Sequence, residues 1–212
     1  MTNKTFNFGV DLDGVMCNFA KTFSTIANSL YGERCPIIKN DAEILGWDWW
    51  EWYPITKMET DKCWYLITNT KNFWLTLPIH DKKGLENFKK YLMPLHNANI
   101  YFITARRSTA GMSVVKQSIQ WLSNNGIINP QVIEIYDKGP ALNALNIQYF
   151  IDDKSENIIS ALKDSDSLVY VMDAGHNKLL DKKLNKNPRY DRVKNLTEFV
   201  KKVIKNMKEK GL

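Results

Sequence analysis

Cysteine and long apolar segments are scarce in this sequence of 212 residues, and each shortage excludes a class of protein. The three cysteines, Cys17, Cys35 and Cys63, are odd in number and match no zinc-binding spacing. This argues against a disulfide framework and against a zinc site. No apolar run approaches the roughly 20 residues that cross a bilayer, and the N-terminus lacks the apolar segment of a secretory signal. We therefore expect a cytoplasmic protein that has no membrane partner and keeps its cysteines reduced.

Acidic residues are scarce in the last part of the chain, where positive charge dominates. From Lys178 to the end there are 12 Lys and Arg against 4 Asp and Glu, although the whole chain carries a formal charge of only +6. Such a tail could steer an anionic polymer. No aromatic residues alternate with these lysines to stack bases, so we favour a solvated helix face. A nucleic-acid partner is therefore not favoured, and the oligomeric state stays open, with a homodimer among the options.

The rest of the composition is ordinary for a globular protein, with 44% hydrophobic and 25% charged residues. Short apolar runs alternate with amphipathic stretches, which predicts an α/β fold with a doubly wound, mostly parallel sheet. Each predicted strand is rich in β-branched or aromatic residues, as in strands that are buried on both faces. The predicted strands are 6–11, 100–104, 132–136, 149–152 and 168–172, and the helical patterns are 20–30, 60–68, 82–92, 111–124, 155–162 and 196–207.

One long interval breaks this alternation, because no strand pattern occurs between the first strand and the strand at 100–104. Six of the seven tryptophans fall inside it, between Trp47 and Trp74. We therefore predict a small helical cap at 17–76, inserted after the first strand of a catalytic core. The core comprises 1–16 and 77–212. Most of these tryptophans are expected to pack inside the cap.

Asp11 and Asp13 follow the first predicted strand and precede Gly14. In open α/β sheets, ligands bind outside the carboxyl ends of the strands. Residues two apart on a strand face the same way, so a turn at Gly14 lets both carboxylates address one volume. One carboxylate can attack phosphorus while the other protonates the departing oxygen. The alternative is a turn that is merely capped by aspartate.

Polar residues follow three further predicted strands. The segment 104–106 (Thr-Ala-Arg) offers a hydroxyl and backbone N–H groups that could cradle a phosphate. Lys138 could neutralise phosphate or carboxylate charge. Asp152 and Asp153 follow a buried strand, where paired carboxylates are costly unless they hold a cation. Each motif alone could be a capped helix or a surface turn, but four of them at four strand ends favour an active site.

The order of these motifs resembles the haloacid dehalogenase superfamily of phosphohydrolases. Within it, the chain is most similar to the 5′(3′)-deoxyribonucleotidases, the cytosolic and mitochondrial type and their bacterial and phage relatives. Segment 11–15 (Asp-Leu-Asp-Gly-Val) is similar to the opening motif of that family, and 151–154 (Ile-Asp-Asp-Lys) to its fourth motif. Segment 72–75 (Asn-Phe-Trp-Leu) resembles the aromatic stretch where the chain leaves the cap, and 176–177 (His-Asn) a pair near the final strand. The resemblance spans roughly residues 6–180.

The resemblance implies a role for each catalytic residue. Asp11 would be the nucleophile and a metal ligand. Asp13 would be the general acid and base, with its backbone carbonyl on the metal. Lys138 would stabilise the charge of the phosphate. The implied cofactor is Mg²⁺, whose site Asp153 would complete together with Asp152.

The resemblance also implies the substrate contacts. Thr104 and the amide of Ala105 would hold the phosphate. Animal members of the family follow the threonine with Ser-Pro, so Arg106 is a departure, which we expect either to bind the phosphate or to point to solvent. Tyr136 stands where those members carry an arginine. The candidates for contact with a base are the aromatic residues that flank the crossings between core and cap, namely Phe19, Phe73 and Trp74.

Together these observations predict a Mg²⁺-dependent phosphatase that hydrolyses nucleoside monophosphates, with deoxyribonucleotides favoured, through an aspartyl-phosphate. Its partner would be a small-molecule nucleotide. One alternative is a phosphatase for another small phosphomonoester or for a nucleic-acid 3′ phosphate, which the basic tail would suit. The other is a binding module that keeps the fold without turnover. The intact set Asp11, Asp13, Lys138 and Asp153 argues against the binding module, since a protein without turnover has no need of all four.

Overall fold

Parallel strands form one sheet at the centre of the computed structural model, which describes residues 5–39 and 43–209. The strands are β1 (Phe6–Val10), β2 (Ala98–Thr104), β3 (Gln131–Glu134), β4 (Tyr149–Asp152), β5 (Leu168–Met172) and β6 (Tyr190–Val193). Their order across the sheet is β3-β2-β1-β4-β5-β6, so the first strand lies in the middle and the chain winds outward in both directions. The predicted doubly wound α/β class is confirmed.

Helices fill the intervals between the strands. Several begin where a polar side chain accepts a hydrogen bond from the backbone N–H three residues further on, as Asn18, Asp81 and Ser113 do. Short 3₁₀ turns occur at Gly32–Arg34, Phe73–Thr76 and Gly175–Asn177. The helices are α1 (Phe19–Tyr31), α2 (Trp49–Trp52), α3 (Lys57–Asn69), α4 (Lys82–Tyr91), α5 (Val114–Asn124), α6 (Lys138–Ala144), α7 (Ser155–Asp164), α8 (Leu180–Leu184) and α9 (Leu196–Glu209).

Side chains of the strands pack alternately on the two faces of the sheet. On β1, Phe6, Phe8 and Val10 enter the larger core, to which α4, α5 and α9 also contribute. On β4, Phe150 enters a second core together with Leu142 of α6. Complete burial of one such side chain stabilises the fold by about 1.5–3 kcal/mol. Burial on both faces fixes the register of the strands, and with it the position of every strand end.

The carboxyl ends of β2, β1 and β4 lie side by side. Val10 pairs in register with Ile151, and the backbone N–H of Asp11 donates a hydrogen bond to the carbonyl oxygen of Ile151 at 3.0 Å. Thr104 and Asp152 are the last residues of β2 and β4. Three polar side chains therefore emerge at one edge of the sheet.

The interval between β1 and β2 is helical in α1 and α3, as predicted. Phe23 of α1 and Cys63 of α3 belong to the same continuous core as the side chains of β1. The division into a cap and a core stays a prediction. Residues 1–4 and 210–212 of the predicted core and residues 40–42 of the predicted cap lie outside the described part of the chain. None of the described helices combines the length and the apolar character that crossing a membrane requires.

The sequence pattern does not predict β6. This strand lies at the edge of the sheet, and its central residues Asp191 and Arg192 are polar, so no apolar run marks it. The guanidinium of Arg192 donates to Asp181 at 2.9 Å and to Asp173 at 2.8 Å. Lys202 pairs with Asp191 at 2.8 Å. Some of the cations of the basic tail therefore form ion pairs with aspartates of the same chain.

Strands β4 and β5 have the predicted bounds, whereas other predicted elements differ from the structure at their ends. Strand β2 begins two residues before the predicted segment 100–104, and β3 ends two residues before the end of 132–136. Helix α5 begins at Val114 rather than at residue 111, because Ser113 caps it. Element ends depend on such local capping contacts more than on hydrophobic pattern.

Candidate active site

A cavity of about 470 Å³ opens at the carboxyl edge of the sheet. This volume is within the range of about 300–1,000 Å³ that is typical of small-molecule sites. All the predicted catalytic and metal-binding residues line it. Its polar floor consists of Asp11, Asp13, Thr104, Lys138, Asp152 and Asp153. Its aromatic wall consists of Phe19, Trp47, Trp49, Trp50, Trp64 and Trp74.

Lys138 joins two carboxylates in the polar floor. It is the first residue of α6, and its side chain is only 1% exposed. Its ammonium donates hydrogen bonds to Asp11 and, at 2.6 Å, to Oδ2 of Asp152. Buried charges require such partners. The lysine therefore holds together two side chains that come from the ends of β1 and β4.

The polar floor has more negative than positive groups around Asp11. The pKa of Asp11 is raised to about 7, mainly by burial and also by the charges of Asp152 and Asp13, even though Lys138 opposes the shift. Burial alone would lower the pKa of Lys138, but Asp11 and Asp152 outweigh it, so the pKa rises and the ammonium stays charged. A second cation next to Asp11 would lower the pKa of that carboxyl. The electrostatics of the floor therefore favour a bound cation.

Asp153 brings a third carboxylate into this cluster. One oxygen each from Asp11, Asp152 and Asp153 lies within 4.8 Å of the others. Hard divalent cations such as Mg²⁺ prefer oxygen ligands of this kind. Gly14 permits the close approach, because a Cβ at this position would lie 2.4 Å from Oδ2 of Asp153. Its φ of +80° also favours glycine. The absence of a side chain at Gly14 is therefore what allows Asp153 to approach so closely.

The carboxylate of Asp152 is held by several donors of the protein itself. Besides Lys138, the backbone N–H of Lys154 donates to its Oδ1 at 2.8 Å. The side-chain amide of Asn157 donates to both oxygens, at 3.1 and 3.0 Å. Asp152 is fully buried, whereas Asp153 is partly exposed. The two neighbouring aspartates therefore have different surroundings.

Thr104 places a hydroxyl group in the polar floor. The residue is buried, and within the described part of the chain its Oγ1 has no hydrogen-bond partner. A buried polar group without a partner costs about 1–3 kcal/mol. A ligand oxygen in the cavity would remove this cost. Ala105 lines the cavity as well, so both residues of the predicted phosphate-binding pair, Thr104 and Ala105, border the site.

Arg106 is buried and turned toward Asp13. Its Nε and Nη2 donate to the two carboxylate oxygens of Asp13, at 2.8 and 3.0 Å. Its Nη1 donates to Oγ of Ser118 at 3.0 Å, and the ring of Trp74 lies against the guanidinium, 4.7 Å from its central carbon. The option that Arg106 points to solvent is therefore wrong. A contact between Arg106 and phosphate stays a prediction, as does the metal contact of the Asp13 carbonyl.

Stacked rings build the aromatic wall. Phe19 stacks on Trp64 with 5.4 Å between the ring centroids and contacts Trp74 at 5.6 Å. Trp49 stacks on Phe23, with 4.0 Å between the centroids. Aromatic pairs of this kind add about 0.5–1.5 kcal/mol beyond their burial. The wall is therefore continuous with the hydrophobic core.

Two aromatic residues differ from the sequence-based expectation. Phe73 is buried and packs edge-on against Trp74, which takes the place beside the cavity, so a base contact by Phe73 has no support. Trp47 was expected inside the cap, but it is 47% exposed and lines the cavity. It meets the ring of His176 edge-on, and the ammonium of Lys154 lies 4.6 Å from its ring centroid.

Three further polar residues support the floor, and the strand-end reasoning did not assign them a role. Asn157 orients Asp152, as described above. His176 contacts the backbone oxygen of Asp153 through Nε2 at 3.1 Å, and the side chain of Asn177 donates to the same oxygen at 2.7 Å. All three lie in the first helical turn after a strand. For Asn157 this position is the signal in the sequence, whereas His176 and Asn177 also form the pair that resembles the family.

Comparisons with known proteins agree with this arrangement. A family model described as 5′ nucleotidase, deoxy (pyrimidine), cytosolic type C protein matches residues 5–203. No curated protein sequence matches the chain. Among solved structures, the chain is similar to a haloacid dehalogenase-like hydrolase from Streptococcus pneumoniae, with a TM-score of 0.56, 14% identity, and coverage of 98% of this chain and 100% of that one.

Two further solved structures have the same architecture. One is a haloacid dehalogenase-superfamily hydrolase from Geobacter sulfurreducens, with a TM-score of 0.53, 13% identity, and coverage of 94% of this chain and 96% of that one. The other is an L-2-haloacid dehalogenase from Xanthobacter autotrophicus, with a TM-score of 0.53, 10% identity, and coverage of 94% and 98%. At these identities the likeness establishes the fold alone.

The family match extends over nearly the whole chain, and the sheet order and the strand-end carboxylates agree with it. The chain therefore belongs to the 5′ nucleotidase, deoxy (pyrimidine), cytosolic type C family, and is a phosphoric monoester hydrolase of the nucleotidase type.

Proposed function

We propose that this nucleotidase hydrolyses nucleoside monophosphates, preferably deoxyribonucleotides, and depends on Mg²⁺. The observation that carries the proposal is the composition of the cavity. Four carboxylates, a buried lysine and the hydroxyl of Thr104, which has no hydrogen-bond partner among the described residues, lie in its floor, and aromatic rings also line the cavity. A phosphate matches the floor and a base matches the rings. The family match, whose description names deoxy substrates, supports the choice of sugar.

The residues of the floor fit a magnesium ion. Asp11 and Asp153 would hold it through their carboxylates, and Asp13 through its backbone carbonyl. Asp152 is already held by Lys138 and by other protein donors, which favours Asp153 as the direct ligand. When bound, the ion supplies positive charge that offsets the repulsion between the phosphate and the nucleophile.

Asp11 is the nucleophile of the proposed mechanism. One of its carboxylate oxygens forms a bond to phosphorus while the bond to the nucleoside oxygen breaks, and that oxygen leaves with a proton from Asp13. The product is an aspartyl-phosphate on Asp11. Asp13 then removes a proton from a water molecule, whose oxygen forms a bond to phosphorus while the bond from phosphorus to Asp11 breaks, so that phosphate is released and the carboxylate of Asp11 is restored. Lys138 keeps Asp11 in place, and Thr104 donates its hydroxyl hydrogen to a phosphate oxygen.

Several groups have to act together in this mechanism. Hydrolysis of a phosphate monoester requires an acceleration of up to about 10²¹-fold. A positioned proton donor supplies about 10²–10⁴-fold. The larger part must therefore come from the nucleophile, from its alignment with the phosphate and from the positive charge around it.

The aromatic wall is proposed to receive the base. Stacking of one base on an aromatic side chain contributes about 1–3 kcal/mol. Phe19, Trp47 and Trp74 are the proposed contacts, since all three line the cavity.

We also propose that the protein acts in the cytoplasm, because its cysteines, all of which are described and buried, are free thiols.

A substrate panel tests the proposal. Phosphate release would be measured from deoxyribonucleoside, ribonucleoside and simple sugar monophosphates, with Mg²⁺ and with EDTA. We expect metal-dependent release that is fastest with deoxyribonucleotides. No metal-dependent release from any ester would contradict the phosphatase activity, and equal rates with sugar phosphates would contradict the nucleotide preference.

A further inference from the structure

Arg106 is a buried cation at the edge of the floor, and the mechanism above does not use it. A guanidinium has five N–H groups. In Arg106, Nε and one N–H of Nη2 bind the two oxygens of Asp13. The other N–H of Nη2 reaches Sγ of Cys17 at 2.9 Å, and one N–H of Nη1 reaches Oγ of Ser118 at 3.0 Å. At most one N–H is left for a substrate, so Arg106 has no pair of donors to offer a phosphate.

The guanidinium is also fixed from the side of the aromatic wall. Trp74 lies against it, and the indole N–H of Trp74 donates to the backbone oxygen of Arg107 at 2.9 Å. The backbone N–H of Trp74 donates in turn to Oε1 of Gln117 at 3.0 Å. These contacts tie the loop that follows β2 to the neighbouring elements. Arg106 is therefore held in one position before any substrate binds.

Asp13 depends on this arrangement for its orientation. Its side chain is 26% exposed, so burial alone does not fix it. A two-point contact with a planar guanidinium sets both the position and the plane of a carboxylate, which a lysine could not do. The thiol of Cys17 lies 3.2 Å from Oδ1 of Asp13 and completes the contact.

We propose that Arg106 is a positioning residue that aims the carboxyl group of Asp13 at the leaving oxygen of the substrate. The inference rests on the proposed function, in which Asp13 transfers a proton to that oxygen as the bond to phosphorus breaks. A nucleoside oxygen is a poor leaving group and needs this proton. A nitrophenolate leaves readily without it. Loss of Arg106 should therefore impair the hydrolysis of nucleotides far more than that of 4-nitrophenyl phosphate.

The test compares kcat/KM of Arg106→Gln on a deoxyribonucleotide and on 4-nitrophenyl phosphate. A proton donor contributes about 10²–10⁴-fold, so we expect about a 100-fold loss with the nucleotide and less than about a 10-fold loss with the aryl ester. Equal losses on both esters would mean that Arg106 binds the phosphate or only stabilises the fold, and would overturn the inference. A wild-type protein that hydrolyses neither ester with Mg²⁺ would instead contradict the proposed function.

A double-mutant cycle gives a second readout. If Arg106 acts through Asp13, then Arg106→Gln should cause no further loss on the nucleotide when Asp13→Asn is already present. Losses that multiply would contradict this. Arg107→Gln is the matched control, because the guanidinium of Arg107 lies on the ring of Trp64, 4.2 Å from its centroid. The factor by which Arg107→Gln changes kcat/KM on the nucleotide should be the same with and without Asp13→Asn.

Ser118→Ala covers the case in which Arg106→Gln fails to fold, as judged by circular dichroism and thermal unfolding. It removes one hydrogen bond from Nη1 and leaves the guanidinium in place. Such a bond contributes about 1 kcal/mol, so we expect about a 5-fold loss that is confined to the nucleotide. An equal loss on both esters would again overturn the inference.

Discussion

The polar floor and the aromatic wall enclose the same cavity, but different forces hold them together. The carboxylates of the floor receive directional hydrogen bonds from Lys138 and, at its edge, from Arg106, and each bond has a narrow range of geometry. In the wall, rings such as Phe19 and Trp64 stack, and ring contacts tolerate shifts that a hydrogen bond does not. Small changes in the floor should therefore abolish the hydrolysis. Changes in the wall should mainly alter which substrate binds.

Asp11→Asn breaks the floor most completely. The amide cannot form the bond to phosphorus, so we expect phosphate release to fall at least about 10⁴-fold for every ester. Asp48→Asn is the matched control, because Asp48 lines the same cavity beside the aromatic wall, and it should keep metal-dependent turnover. Retention of turnover in Asp11→Asn would mean that another residue is the nucleophile.

The same substitution should stabilise the metal-free protein at neutral pH. The pKa of Asp11 is raised from 3.8 to about 7, so ionising this carboxyl opposes folding as the pH rises through that window. Relative to wild type, Asp11→Asn should show no gain in the free energy of unfolding near pH 4 and a gain that grows as the pH rises toward and past 7. Urea unfolding in EDTA across this range measures the difference. A gain that shrinks as the pH rises would contradict the charge crowding in the floor.

Gly14→Ala disturbs the floor without removing a charged group. The new Cβ would collide with Asp153, and the positive φ adds about 1–2 kcal/mol of strain. We expect the Mg²⁺ concentration for half-maximal activity to rise about tenfold. Gly32→Ala is the matched control, because Gly32 also has a positive φ but has open space around it. An unchanged Mg²⁺ requirement in Gly14→Ala would exclude Asp153 from the metal site.

Trp47→Ala tests the wall and should have the smallest effect. Trp47 is half exposed, so its removal should cost little stability. Loss of one stacking contact should raise KM for nucleotides about tenfold with little change in kcat. Ribose 5-phosphate, which has no base, should be hydrolysed as before. An equal change with both esters would remove Trp47 from the proposed base site.

The floor could be predicted from the sequence because position along the chain determines it. Asp11, Thr104, Lys138 and Asp152 each end or follow a strand, and a parallel sheet brings such ends together. Arg106 shows the limit of this reasoning. Its partner Asp13 is 93 residues away in sequence, and a hydrophobic pattern does not reveal which way a side chain turns just after a strand.

Which aromatic residues form the wall also depends on contacts between residues that are far apart in the sequence. Hydropathy places every tryptophan in the interior, and Trp74 and Trp121 are indeed buried. The exposure of Trp47 depends instead on rings and cations from distant parts of the chain, such as His176 and Lys154. Contacts of this kind follow no periodic pattern in the sequence, so the sequence alone does not reveal which aromatic residues line the cavity.

Chemical trapping of the aspartyl-phosphate would identify the nucleophile. The enzyme would be quenched with acid during turnover of a deoxyribonucleotide with Mg²⁺, treated with borohydride, which reduces an acyl phosphate to an alcohol, and digested with trypsin. Fragmentation of the peptide 5–21 should locate homoserine at position 11, and Asp11→Asn treated in the same way should yield none. Homoserine at Asp13 or Asp153, or turnover without any trapped product, would contradict the assignment of Asp11 as the nucleophile.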